Sequence, residues 1–328
     1  MIDVSILIIN YKCPDLTIAA IRSVREWTRR VSFEIIVVDN DSQDDSRERV
    51  LAAEPSVNWV DMGYNAGFAR ANNRAAREAS GRYYLLLNAD TLQCSDAIDQ
   101  CVERMDAESD LAASAPLQLY EDGTPHPFYR SFAEFRRVFY IVPIRFQGFV
   151  EKCLPATRYA DPRQYDWLVG AFMLVRREAA DKAGLLDESF FMYGEDVEWS
   201  YRLGKTGKLV YFEDLGFIHL TNDSPFRRKD VSYVNRFNTQ MQVSNLLWLR
   251  KQYGRGAYLV VMLNYLILAP VFLGWKMAVN LLKGKSPFRD LDNQLRFARR
   301  VRVLLHYFRP TWTNKPGFYR IKPEENIA

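Results

Sequence analysis

The sequence predicts an α/β fold, a mostly parallel central sheet flanked by helices, followed by a C-terminal helical region of different character. Three observations carry this. Apolar runs of strand length alternate with helix-patterned segments. Several of those runs are apolar at nearly every position, as strands covered on both faces are. Three of them end on Asn or Asp, and open α/β sheets bind ligands beyond the carboxyl ends of their strands.

The elements follow in order. "VSILIINY" (4–11) reads as the first strand, and Pro14 with "DLTIAAIRSVREW" fits a helix carrying Pro near its start. "FEIIVVDN" (33–40) is the second strand, leading through a polar turn to the helical "SRERVLAAE". "VNWVDM" (57–62) is a short third strand, and "GFARANNRAAREAS" (67–80) an Ala/Arg-rich helix. "RYYLLLNAD" is the fourth strand; the helical "SDAIDQCVERMDAE" then leads to "LAASAPLQLY". The N-terminal "MIDVSILIINY" has an acid at position 3 and no basic leader, and is expected to be a strand rather than a signal peptide.

Composition sets broad limits. With 328 residues the chain can hold one large domain or two smaller ones. The net charge of +4 is mild, and no nucleic-acid partner is expected. Cys13, Cys94, Cys101 and Cys153 lack metal-ligand or CxxC spacing, so reduced thiols in a cytoplasmic setting are expected. No GxGxxG follows the first strand and no GxxxxGK[ST] occurs, which demotes dinucleotide oxidoreductases and P-loop NTPases.

The polar strand ends suit a nucleotide. Asp39 can accept from a base N–H or a ribose hydroxyl, and Asp90 suits a divalent metal that neutralises phosphates. Helix capping is the competing use of Asp90. Further on, "FFMYGEDVEWSYRL" sets Glu195 and Asp196 in a helical first turn, where the dipole favours anions. An acid pair emerging from an aromatic stretch also suits base catalysis, because desolvation raises a carboxylate's pKa.

Five segments in order, "SILIINYK", "VVDNDSQD", "GYNAGFARANN", "LLLNADT" and "GAFMLVRREA…GLLDESFFMYGEDVEWSYRLGKTG", resemble the inverting family 2 glycosyltransferases, over roughly residues 1–225. The nearest branch is bacterial rhamnosyltransferase-like enzymes of surface polysaccharide synthesis. The resemblance implies a GT-A-like nucleotide-binding fold, a nucleotide-sugar donor, a divalent metal (Mg²⁺ or Mn²⁺) and inversion at the anomeric carbon. It places Asn10 and Tyr11 beside the base with Asp39 hydrogen-bonding it, and Asp41 and Ser42 at the rim. Asn65 and Gly67 fall near the nucleotide, and Asn72 on the ribose side; a solvated helix face is the alternative for Asn72 and Asn73. Gly67 is expected to be a close-approach position at a helix start, where free N–H groups face phosphate.

The family's Asp-x-Asp metal motif reads Asn88-Ala89-Asp90 here, so the metal role falls on Asp90 and Asn88 becomes a hydrogen-bonding group. The resemblance makes Asp196 the base that deprotonates the acceptor hydroxyl, with Glu195 orienting it or holding acceptor hydroxyls. His219, one of three histidines, sits where related enzymes place a metal-bound histidine; His126 is not expected to be a ligand. Trp167 is a candidate for stacking on a sugar ring, with plain core as its alternative, and Gly170 for close approach to the donor. An insert at about 121–165, rich in Pro, Phe and Arg, is expected over the acceptor side as a lid or flap, or as a loop packed by its own aromatics.

Residues 226–328 read as a separate helical, basic, membrane-associating region. Ala257 to Trp275 carries no charge, while Lys283 to Arg309 holds eight Lys/Arg against Asp290 and Asp292. Basic residues flank the apolar run on both sides, which favours 257–282 lying in the leaflet over spanning it. A spanning helix, a buried helix and a homo-oligomer interface are the alternatives. The expected location is the cytoplasmic face of the inner membrane, against anionic lipid, with a lipid-linked sugar as acceptor. The QxxRW signature of processive enzymes is missing, so single addition is expected. Two classes stand: a glycosyltransferase, with dTDP-rhamnose among its candidate donors, and a catalytically inactive nucleotide-sugar-binding or scaffolding protein, which Asn88 alone favours.

Overall fold

The computed structural model describes residues 2–126, 129–220 and 238–325. The chain divides into two compact units. The first comprises Met1–Ser131, Thr157–Phe191 and Glu195–Asn222, the second Phe132–Ala156, Met192–Gly194 and Asp223–Ala328. The boundary expected at 225/226 lies outside the described residues.

An eight-stranded sheet organises the first unit. Its strands are β1 (Val4–Asn10), β2 (Phe33–Asp39), β3 (Asn58–Asp61), β4 (Tyr83–Asn88), β5 (Thr91–Gln93), β6 (Leu111–Leu119), β7 (Phe172–Arg176) and β8 (Lys208–His219). Their order is β3-β2-β1-β4-β7-β6-β8-β5. The strands β1 to β4 pair in parallel, as alternation with helices requires. The strand β7 enters antiparallel between β4 and β6, after a long excursion of the chain.

Both faces are covered, which explains the near-continuous apolar strands. Ile6, Ile8, Ile35, Val37, Leu85 and Leu87 pack with Ile21 and Val24 of α1 (Pro14–Trp27) and Ile98, Val102 and Met105 of α4 (Ala97–Ala107). Leu7, Ile36, Val38 and Leu86 cluster with Ala69, Ala71 and Ala75 of α3 (Gly67–Glu78) and Trp199 of α8 (Glu195–Leu203). Alanine on the inner side of α3 lets that helix lie close to the sheet. Parallel register then brings Asn10 level with Asp39, and Ile9 level with Asn88. The polar strand ends thus share one edge.

The second unit is helical. Its longest helix, α9 (Thr239–Leu282), starts at Asn238, whose side chain accepts from the Met241 N–H at 2.8 Å. Gly254, at φ 81° and ψ −174°, breaks it into two segments, and Pro270 lies in the second. The helix is long and apolar enough to cross a membrane. Beyond Gly254 one side is buried through Tyr258, Val261, Met262, Tyr265 and Ala269, with the Phe297 ring of α10 (Asp292–His306) 6.0 Å from that of Tyr265. The other side exposes Val260, Leu263, Ile267, Val271 and Trp275. Asn264, an apparent interruption in the sequence, bonds both the N–H and the C=O of Ile141 at 3.0 Å. The central part of the insert therefore packs within this unit, while residues 121–131 and 157–165 belong to the first.

Candidate active site

The nucleotide side of the sheet edge is built from the ends of β1 and β2. Asn10 is fully buried. Its Nδ2 donates to Asp39 Oδ1 at 2.8 Å and to Ser42 Oγ at 3.1 Å, and its Oδ1 accepts from Thr17 at 2.9 Å. This corrects the expected base contact: the amide is turned inward and braces Asp39. Ser42 completes that brace, donating its hydroxyl (2.5 Å) and its N–H (3.0 Å) to Asp39 and accepting from the Lys12 N–H at 2.8 Å. Tyr11, 44% exposed, stands beside the brace as the open aromatic surface. Asp41 at the rim accepts from Gln43 Nε2 at 3.3 Å. Lys12, Asp41 and Gln43 all have φ between 55° and 70°. Such conformations cost on the order of 1 kcal/mol each, so the loop shape is imposed by its hydrogen bonds.

The α3 segment is held from its first residue. Asn65 Oδ1 takes Asn40 Nδ2 and the Gly67 N–H, both at 3.3 Å. At Gly67, φ is +72° and a Cβ would meet the Phe191 carbonyl oxygen at 2.1 Å. The Phe68 N–H already donates to that oxygen at 2.8 Å. Gly67 is thus the close-approach position expected at this helix start, required by the Phe191 backbone. Asn72 is buried and donates to the Phe68 carbonyl on its own helix at 3.0 Å. Asn73 is neither a solvated face nor a ligand contact; it stitches α3 to the Leu186 backbone.

The strands β5 and β8 bring the metal candidates together. Thr91 of β5 pairs with His219 of β8, and the Leu220 N–H donates to the Asp90 carbonyl at 2.8 Å. His219 Nε2 lies 3.1 Å from Asp90 Oδ1. Asn88 turns its backbone to this junction, its C=O accepting from Thr91 Oγ1 at 2.7 Å. Among the described residues no group of three or more His, Cys, Asp or Glu side chains converges.

Asp196 reaches the same edge through β7. The Asn88 N–H donates to the Ala171 carbonyl at 3.0 Å, and the next residue back, Gly170, donates its N–H to Asp196 Oδ2 at 3.1 Å. The Val197 N–H holds Asp196 Oδ1 at 2.8 Å. Burial pushes the Asp196 pKa up, against the lowering effect of those two N–H groups. A Cβ on Gly170 would stand 3.4 Å from both Asp196 Cβ and the Phe68 ring, in ordinary van der Waals contact. Glu195 is buried beside it. Trp167 is only 9% exposed and belongs to the core, which corrects the stacking role.

Several supporting residues escaped the sequence. The Leu168 N–H donates to Ser200 Oγ at 3.2 Å and the Val169 N–H to the Tyr211 hydroxyl at 3.1 Å, so three successive amides are anchored around α8. Ser200 lies one helical turn beyond Asp196, the only local signal it offered. Gln118 bonds both His219 and His126, a link that no sequence spacing announces.

The family model for glycosyl transferase family 2 matches residues 5–183, more than half of the chain. The N-acetylglucosaminyl-diphospho-decaprenol L-rhamnosyltransferase of Mycobacterium tuberculosis is 27% identical over 211 residues, covering 56% of this chain and 66% of the relative. The rhamnosyltransferase WbbL of Escherichia coli is 26% identical, covering 60% and 77% respectively. The chain thus spans just under two thirds of the mycobacterial relative. Among solved structures, the mannosyltransferase PcManGT from Pyrobaculum calidifontis, in complex with GDP-Man and Mn²⁺, superposes with a TM-score of 0.53 at 15% identity, over 95% of this chain and 88% of that one. The fold is therefore GT-A-like, and the chain belongs to glycosyl transferase family 2.

Proposed function

We propose that this chain transfers a single sugar, with inversion, from a nucleotide-sugar donor to a membrane-associated glycolipid or polysaccharide precursor. The observation that carries the reading is the hydrogen-bonded connection from Gly170–Asp196 through Ala171–Asn88 to the Asp90–His219 junction. It joins a carboxylate of raised pKa to a cation-competent pair on one sheet edge. Tyr11 offers a stacking surface for the base, and Asp39, braced by Asn10 and Ser42, accepts from base or ribose. Asp196 takes the proton of the acceptor hydroxyl as it attacks the anomeric carbon on the face opposite the departing nucleoside diphosphate. Two backbone donors fix the direction of that carboxylate, and Glu195 holds acceptor hydroxyls beside it.

The residues fit Mg²⁺ or Mn²⁺. Asp90 and His219, 3.1 Å apart, offer the carboxylate oxygen and imidazole nitrogen that such an ion accepts as donors. Asp90 and His219 would hold the ion, leaving other positions to diphosphate oxygens and water. When bound, it supplies Lewis-acid stabilisation to the leaving diphosphate.

The rhamnosyltransferase names of two relatives favour dTDP-rhamnose, with UDP- and GDP-sugars as rivals. The mycobacterial relative's diphospho-decaprenol substrate supports a lipid-linked acceptor. Residues 1–225 are read as the catalytic domain and 226–328 as the membrane-associating region. The exposed apolar side of α9, with Lys283, Lys285, Arg299 and Arg302 exposed nearby in sequence, is read as lying in the cytoplasmic leaflet of the inner membrane. A thermal-shift and hydrolysis screen of dTDP-, UDP- and GDP-sugars with Mn²⁺ or Mg²⁺ tests the donor. One nucleotide class should stabilise the protein in a metal-dependent way, by about 2.7 kcal/mol at a hundredfold excess over Kd. No stabilisation or turnover by any of them would sink the reading.

A further inference from the structure

We propose that the Gln118 carboxamide sets which nitrogen of His219 carries the proton, and so gates the Asp90–His219 pair for a divalent cation. The proposal rests on the reading of those two residues as metal ligands. It starts from a small hairpin at the end of β6. The Tyr120 N–H donates to the Thr124 carbonyl and the His126 N–H to the Gln118 carbonyl, both at 2.9 Å, with Gly123 at φ +76° in the turn. This folds His126 back over Gln118, where its ring stacks on Tyr120 at 3.5 Å and lies 5.8 Å from that of His219.

Gln118 sits between the two imidazoles. Its Nε2 is 2.9 Å from His126 Nδ1 and 2.7 Å from His219 Nδ1. With the carboxamide in this orientation its nitrogen donates to both Nδ1 atoms, which assigns the proton of each neutral ring to Nε2. His219 then donates Nε2–H to Asp90 Oδ1 across 3.1 Å, and its Nε2 has no lone pair to offer a cation. A half-turn of the carboxamide replaces Nε2 by Oε1 at the same two sites. Each ring then carries its proton on Nδ1 and donates it to Gln118. His219 Nε2 is left with a lone pair beside Asp90. The exchange changes neither ring's charge; it moves one proton on each from Nε2 to Nδ1 through solvent. Gln118 is a positioning residue, and the second histidine makes the amide commit to one orientation at both rings.

The decisive measurement is histidine-selective ¹⁵N NMR on the full chain, which has only three histidines, with His219→Ala assigning the signal. Without metal, His219 should be the Nε2–H tautomer; saturating Mg²⁺ alone should convert it to Nδ1–H. Mn²⁺ affinity, read by EPR of the free ion, should fall about 10–100-fold in Gln118→Leu and stay within a few-fold of wild type in Gln118→Glu, whose carboxylate accepts from Nδ1–H. If His219 keeps Nε2–H with Mg²⁺ bound, its Nε2 is no ligand and the metal reading of that residue falls with the proposal; if Gln118→Leu binds Mn²⁺ like wild type, the gating role is wrong while the ligands stand. Equal loss of affinity in Gln118→Glu and Gln118→Leu also overturns it. If Asp90→Ala and His219→Ala leave Mn²⁺ affinity unchanged, the metal-ligand reading falls and the proposal with it.

Discussion

At Asp196 two opposing influences meet: burial favours the protonated carboxyl, and the N–H groups of Gly170 and Val197 favour the carboxylate. Burial wins, so the folded pKa lies above the ordinary 3.8. Base duty needs the ionised form, so turnover should fall on the acid side as pH drops through that raised value. The same shift affects stability with the opposite trend: the native state holds this proton more tightly than the unfolded chain, so the group's contribution is fully present below pH 3.8 and lost as pH rises through the folded pKa. Both limbs are checked by a pH–rate profile alongside pH-dependent denaturation. Gly170→Ala would bring a methyl into ordinary van der Waals contact, 3.4 Å from Asp196 Cβ and the Phe68 ring, and should change kcat by less than about tenfold with donor Kd unchanged; steady-state kinetics and calorimetry separate the two. Asp90→Ala should cut turnover about 10²–10³-fold and abolish the response to Mn²⁺, with a milder loss in His219→Ala. Sequence reading named these residues because carboxylates at strand ends and in a helical first turn carry a chemical signal. The inward turn of Asn10, Asn72 and Trp167 was not legible, because position along a strand or helix tells which edge a residue occupies, not which way its side chain turns. Gln118 and His126 were illegible for a further reason: only the pairing of β6 with β8 and a hairpin bring them to His219.

Among elements, α3 and the chain entering α8 are locked where Phe191 crosses Gly67. Gly67→Ala combines a positive φ with a Cβ 2.1 Å from backbone oxygen. It should destabilise the first unit by at least about 1–3 kcal/mol, read as a lowered denaturation midpoint in urea. Gly63 also has positive φ, at +76°, yet has open space around it; Gly63→Ala should cost less, which makes it the internal control. The strands β1 to β4 were legible since their apolar runs and intervening helices obey the parallel-sheet pattern. The antiparallel β7 was not, because a strand's direction in the sheet depends on where a long connection re-enters. The insert read as a lid resolves differently too. Its Ile141 backbone bonds Asn264, and its Arg136 guanidinium lies 4.2 Å from the Tyr253 ring centroid. Those partners are more than a hundred residues away, beyond any local pattern.

For the molecule as a whole, the account requires membrane association through α9. Ile267, Val271 and Trp275 are 65%, 58% and 70% exposed on one side of the helix, and burying each in lipid contributes roughly 1.5–3 kcal/mol. The basic contribution is smaller than the sequence suggests, because Arg300 is buried and burial lowers its pKa to about 10. Exposed Lys283, Lys285, Arg299 and Arg302 add about 1 kcal/mol each near anionic headgroups. The protein should therefore sediment with anionic vesicles, resist release by high salt alone, and come off when Ile267, Val271 and Trp275 are all changed to Glu. Vesicle binding by that triple variant equal to wild type would remove α9 from the interface. The most direct test of the central claim is sugar transfer to a lipid-linked acceptor by wild type and Asp196→Asn, with dTDP-rhamnose, UDP-sugars and GDP-sugars offered in turn. Wild type should add one sugar with inverted anomeric configuration from one donor class. Asp196→Asn should bind that donor equally well and transfer about 10²–10⁴-fold more slowly; near-native transfer by the variant, or none by wild type from any donor, would contradict the account.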